Sequence, residues 1–194
     1  MVNNYEYDLN SVVYLRLTKQ IQTLKKQGKP LLIKINSHPC AGKSWFIQKY
    51  KHSYMGCKLL DFDHFKGPDQ TSLSLMRYTK NTALLGTAIY REHHEDSGGN
   101  EKVHLTDVVY IHVIPRLKQL TFQIKTRQTE GSRQKCKWAK TTNILEARQK
   151  ALSFVFDKNQ IQVEPLFHSF TEGLKFCIDA YNVKQFTPPQ EKKK

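Results

Sequence analysis

Residues 37–44 read Ser-His-Pro-Cys-Ala-Gly-Lys-Ser, and residues 59–65 read Leu-Leu-Asp-Phe-Asp-His-Phe. The first stretch stands between the apolar run Leu31–Asn36 and the helix-like Trp45–Tyr50. A loop so placed can curl successive backbone N–H groups round an anion, at a helix start whose dipole favours negative charge. Gly42 has no side chain to hold a phosphate away, Lys43 can reach the terminal phosphates of a nucleotide, and the Ser44 hydroxyl can ligate Mg²⁺. Asp61 and Asp63 are two apart on a strand-like segment, so both carboxylates project to one side while Phe62 projects to the other. One of them can hold Mg²⁺ through water, and the other can accept a proton from an attacking hydroxyl.

Phosphate loops of the Walker A type open with glycine, whereas this one opens with Ser37. That glycine mainly serves the turn, so serine is tolerable there if its φ is not strongly positive. Ala41 is small, Pro39 stiffens the crown, and the side chains of His38 and Cys40 are expected to point outward. The reading is therefore a working nucleotide site with an altered first residue. It is built from Ser37, His38, Pro39, Cys40, Ala41, Gly42, Lys43 and Ser44, with Ser44 and Asp61 as metal-side ligands. A decayed loop and a chance match are the alternatives.

The elements that must position these residues are legible from periodicity. Val13, Leu17, Ile21 and Leu24 predict a helix over 9–27, capped by Asp8 and ended by Gly28. Five strands are expected at 31–36, 57–62, 82–90, 107–114 and 161–167. Helices are expected from about Lys43, from Pro115 in its first turn, from near Asn143 (spaced from Glu146 like a capping box), and over 171–182. Strands alternating with helices imply a mainly parallel α/β sheet with ligands at its carboxyl edge. Lys34 is the misfit, a cation in the strand that should be central and buried.

With these residues placed, the chain resembles the P-loop kinases of the nucleoside, nucleotide and small-metabolite group, including shikimate kinase and polynucleotide 5′-kinase. The resemblance rests on SHPCAGKSWF followed by LLDFDHF, and on the layout VVYIHVIP–helix–basic insert–helix. It implies a three-layer fold with a five-stranded sheet over residues 30–183; beside it, the segment 1–29 is expected to be a helix packed on that core and 184–194 a flexible tail. It also implies a short basic lid at about 126–141. The activity implied is ATP-dependent, Mg²⁺-assisted transfer of a γ-phosphoryl group to a hydroxyl or phosphate, most plausibly of a nucleoside or nucleotide. Lys43, Asp61 and Asp63 carry over as catalytic residues, with the order of the two aspartates open. Arg127 and Arg133 carry over as lid arginines that stabilise transferred charge. No acceptor motif carries over.

Composition bounds the partners. Thirty-one Lys and Arg oppose 17 Asp and Glu, for a net charge of +14, a field that draws polyanions. That charge keeps open a kinase acting on nucleic acid, or a non-catalytic P-loop module that binds nucleotide or nucleic acid. No apolar run is long enough to span a bilayer, so no membrane association is expected. The four cysteines are scattered without a C-x-x-C pair, which suits reduced thiols in a cytoplasmic compartment. The absence of N-K-x-D argues against a GTPase. In REHHE (91–95) the spacing is wrong for a helical zinc site. Trp138, in the basic insert, is expected to pack against its own helix, with stacking on a base as the alternative.

Overall fold

The computed structural model describes residues 11–61, 81–85, 108–129 and 141–183. Helix α1 (Val12–Lys26) buries Val13, Leu17, Ile21 and Leu24, the stripe its sequence spacing requires. Its end is a Schellman turn: Gly28 at φ +68° donates to the Lys25 carbonyl, and the Lys29 N–H returns to that of Leu24. Ser11, in extended conformation, occupies the N-cap; Asp8 lies outside the described residues.

Then follow β1 (Leu32–Ser37), α2 (Lys43–Lys49), β2 (Ser53–Tyr54), β3 (Cys57–Asp61), β4 (Thr82–Leu85), β5 (Val108–Val113), α3 (Leu117–Thr129), α4 (Thr141–Val155), β6 (Leu166–Phe167) and α5 (Phe170–Asn182). The strands form one α/β sheet in the order β2-β3-β4-β1-β5-β6. All neighbours are parallel except β2, which pairs antiparallel with β3. That sixth strand exceeds the five expected. It has only two residues, too few for a period, and is made by a tight turn at Met55 (φ +48°) and Gly56 (φ +80°).

The two faces of the sheet differ sharply. Ile33 and Ile35 align with Ala83, Leu85, Val109 and Ile111, and all six are fully buried in one cluster with α1 and α5. The residues between them, Lys34 and Asn36, align with Tyr110 and His112 on the opposite face. Toward the β6 edge that face is covered by α4, whose Ala151, Leu152 and Val155 pack on Ile114 and Leu166. Lys34 is buried there after all, with its ammonium 5.7 Å from the centre of the Tyr110 ring. The aromatic face of its cross-strand neighbour is one contact that accommodates a lysine in this central strand.

Several sequence expectations are corrected. The fifth strand shrinks to Leu166–Phe167: Pro165 has no N–H to donate, and the Val163 and Glu164 N–H groups turn back to the Val155 carbonyl. Pro115 precedes α3 instead of lying in its first turn, since the Leu120 N–H bonds the Arg116 carbonyl and makes Arg116 the cap. Asn143 is inside α4, which already runs at Thr141, so it closes no capping box. A capping arrangement does exist at α5, where the Ser169 hydroxyl accepts from the Glu172 N–H and Glu172 accepts from His168 N–H. The third strand is described only as far as Leu85.

Candidate functional site

Strand β1 lies between β4 and β5, and its outgoing chain runs through α2 to β3, whereas β5 leads to β6 on the other side. The crevice at the carboxyl ends of β1 and β5 is therefore a topological switch point, where open α/β sheets bind ligands. Residues 38–42 occupy that position, between the last residue of β1 and the first of α2.

The loop's geometry answers the question Ser37 raised. Ser37 is the last strand residue, paired with Val113 and not among the residues of positive φ. The left-handed positions are Cys40 at φ +65° and Gly42 at φ +93°. A serine at the loop entrance therefore needs no glycine-like backbone, and the conformational demand falls three and five residues further along. At Gly42 the demand is also steric: a Cβ there would lie 3.1 Å from Gln123 Nε2 of α3.

Lys43 and Asp61 form the site's ion pair, with Lys43 Nζ 2.5 Å from Asp61 Oδ1 and side chains only 9% and 10% exposed. Asp61 aligns with Leu85, and Leu85 with Ile35, so β4 separates the strand of Asp61 from β1. At about 4.8 Å per strand, β1 and β3 lie roughly 10 Å apart at the carboxyl edge, and the Lys43–Asp61 bond ties the start of α2 to the end of β3. Such a pair is short because both partners are charged. Ser44 is exposed at the second position of α2. The first N–H groups of any helix have no intrahelical acceptor, so the start of α2 offers donors to an anion.

The loop's outer side is covered by α3 and α4. Cys40 packs against Leu120, Ile124 and Ile144. His38 is 2% exposed, contrary to the outward orientation expected for it, and its Nδ1 lies 2.8 Å from the Pro39 carbonyl. That contact requires Nδ1 to carry the proton, which leaves the buried Nε2 as an acceptor with no partner. Burial, opposed by the Pro39 bond and aided by the charge of Arg148, lowers the His38 pKa to about 4. The imidazole is thus neutral at physiological pH. Gln123 Oε1 is likewise buried without a partner. Sequence reasoning missed Gln123; it lies 81 positions from Gly42, and no local signal links the two.

Of the other sequence-predicted site residues, Asp63 and Arg133 lie outside the described residues, as does the lid segment 130–140. Arg127 falls in the last turn of α3, and its side chain lies outside the described residues. Among the described residues no group of three or more His, Cys, Asp or Glu side chains could hold a metal ion. The oxygen donors at hand, Ser44 and Asp61, are of the hard type that Mg²⁺ accepts alongside phosphate oxygens and water. A groove of about 390 Å³ lined by Val13, Arg16, Gln20, Tyr110 and Glu164 lies beside α1 and includes none of the loop residues. No helix among the described residues is long and apolar enough to cross a membrane.

None of the protein-family models, curated proteins or solved structures compared with the chain matches it.

Proposed function

We propose that the protein is an ATP-dependent phosphotransferase of the P-loop kinase type, moving a γ-phosphoryl group to a hydroxyl or phosphate of a nucleoside, a nucleotide or a nucleic-acid end. The observation that carries this reading is the Lys43–Asp61 pair beside the left-handed Gly42, at the carboxyl edge where the sheet changes direction. A nucleotide's phosphates fit the donor set: the Lys43 ammonium, the helix-start N–H groups and a glycine that permits close approach. Mg²⁺, when bound with the nucleotide through Ser44 and Asp61 or Asp63, would shield phosphate charge.

The chain's own residues then do three things. Lys43, compensated by Asp61 in the absence of ligand, turns its charge toward the phosphate oxygens. A carboxylate of the Asp61/Asp63 pair takes the acceptor's proton as the new P–O bond forms and the β,γ-bridging bond breaks. Arg127 and Arg133 supply forked donors to the transferred group as the lid closes over it.

The test is transfer from γ-labelled ATP with Mg²⁺ into two pools, mixed nucleosides with their monophosphates, and 5′-hydroxyl oligonucleotides. Lys43→Ala serves as the blank, assayed below its lowered melting temperature. Label in either pool above the blank supports the reading and names the acceptor class. Label in neither refutes it.

A further inference from the structure

Helix α2 and the β2–β3 hairpin carry a surface that the phosphate loop does not use. From Lys43 to Leu60 the chain holds four lysines and one histidine and no acid at all. Lys49, Lys51, His52 and Lys58 are exposed. Trp45, the residue after Ser44, is 62% exposed, an unusual state for the largest aromatic side chain. Lys49 Nζ sits 4.7 Å from the Trp45 ring centre and 5.4 Å from that of Tyr50. Tyr50 stands edge-on to Tyr54 of β2 at 4.7 Å, and both lean on the buried Phe46. The surface is thus a basic ridge with one projecting indole, held in place by an aromatic cluster beneath.

We propose that this ridge binds single-stranded nucleic acid, a base stacking on Trp45 and the backbone phosphates running along Lys49, Lys51 and Lys58. Alternating aromatic and cationic side chains are what an unpaired strand requires, since every base has a π-face and every nucleotide a charge. A duplex buries those faces in its own stack and offers Trp45 nothing to cover. A lipid surface would need a broader apolar area than Trp45 and Met55, as Tyr50 and Tyr54 are half-buried against Phe46. Because Trp45 follows Lys43 and Ser44 directly on α2, a strand lying on the ridge ends at the candidate phosphoryl-transfer site. That last link, in which the strand's 5′-hydroxyl is the acceptor, rests on the phosphotransferase reading; the binding surface does not.

The test uses the full chain with Trp138→Phe, so that Trp45 is the sole indole. A 20-mer of deoxythymidylate, the corresponding blunt duplex, and phosphatidylserine vesicles are titrated without nucleotide, and the single strand across a series of salt concentrations. The single strand is expected to quench Trp45 emission and to bind more tightly than the duplex. Trp45→Ala, followed by anisotropy of labelled strand, should weaken binding about five- to hundredfold with the salt slope unchanged. Replacing Lys49, Lys51 and Lys58 by Ala should lower the slope of log K against log salt by about 2, at roughly 0.7 per phosphate contact. All four side chains are exposed, so unfolding curves should match the parent. Equal or tighter duplex binding, a response to vesicles alone, or parental affinity in Trp45→Ala would each overturn the proposal. Strand binding by a protein that binds no ATP would keep the ridge and remove its link to phosphoryl transfer. Transfer to small acceptors without strand binding would do the reverse.

Discussion

Removing one member of the Lys43–Asp61 pair should cost far more stability than removing both. The partners are 2.5 Å apart and about nine-tenths buried, so removing either one takes a close opposite charge from the other in a poorly solvated site. Lys43→Met or Asp61→Leu should each destabilise by about 3–5 kcal/mol, the range for breaking a buried pair. In a chain of this size that corresponds to a fall in Tm of roughly 6–20 °C. The double variant replaces both charges with apolar groups and should recover at least about 2 kcal/mol relative to the sum of the single effects. Urea unfolding of the four proteins, with m-values compared to confirm similar exposed surface, closes the cycle. A coupling energy below about 0.5 kcal/mol would refute the reasoning, because two side chains that act independently cannot be neutralising each other. The same cycle separates folding from chemistry. A double variant that is stable but inactive assigns Lys43 and Asp61 to the reaction, whereas inactivity of Lys43→Ala alone could reflect unfolding.

Two further outcomes follow from the loop. His38 has its pKa lowered to about 4 from an ordinary 6.5, so between those values the unfolded chain binds more protons than the folded one. Its contribution is present above pH 6.5 and is lost as pH falls toward 4, by about 3 kcal/mol over the whole window. His38→Gln should flatten that part of the stability–pH profile, and an equally steep fall in the variant would contradict the assignment. At Gly42, alanine must adopt φ +93° and bring its Cβ within 3.1 Å of Gln123 Nε2. Gly42→Ala should lose about 1–2 kcal/mol, of which Gln123→Ala restores only the steric part; full restoration would mean that the backbone conformation costs nothing.

Much of the scaffold was legible because its determinants act over a few residues. The stripe of Val13, Leu17, Ile21 and Leu24 and the stop at Gly28 predicted α1, whose observed bounds differ by a few residues at its start. Alternating strands and helices gave the α/β class and the mainly parallel sheet, and the apolar run before Ser37 located β1. Errors arose where a local pattern competed with a distant partner. The stretch 161–165 has strand-like composition, yet the Val163 and Glu164 N–H groups fold back on Val155. His38 was expected to face outward, but α3 and α4 cover the crown of the loop.

The sequence by itself located the described helices and the strands β1, β3 and β5, the strand–loop–helix setting of residues 37–44, and the basic character of the chain. Each of these is encoded in periodicity, caps and composition, which are properties of neighbours along the chain. Only the tertiary structure decided that Lys43 meets Asp61 across an intervening strand and that Gln123 covers Gly42. It also decided that Lys34 rests against Tyr110, and that Trp45 stays in solvent beside Lys49. The first three contacts join residues 18 to 81 positions apart, and the order of the strands and the placement of helices on them fix which residues can meet. The fourth depends on what the rest of the fold leaves uncovered, and no stretch of sequence carries that information.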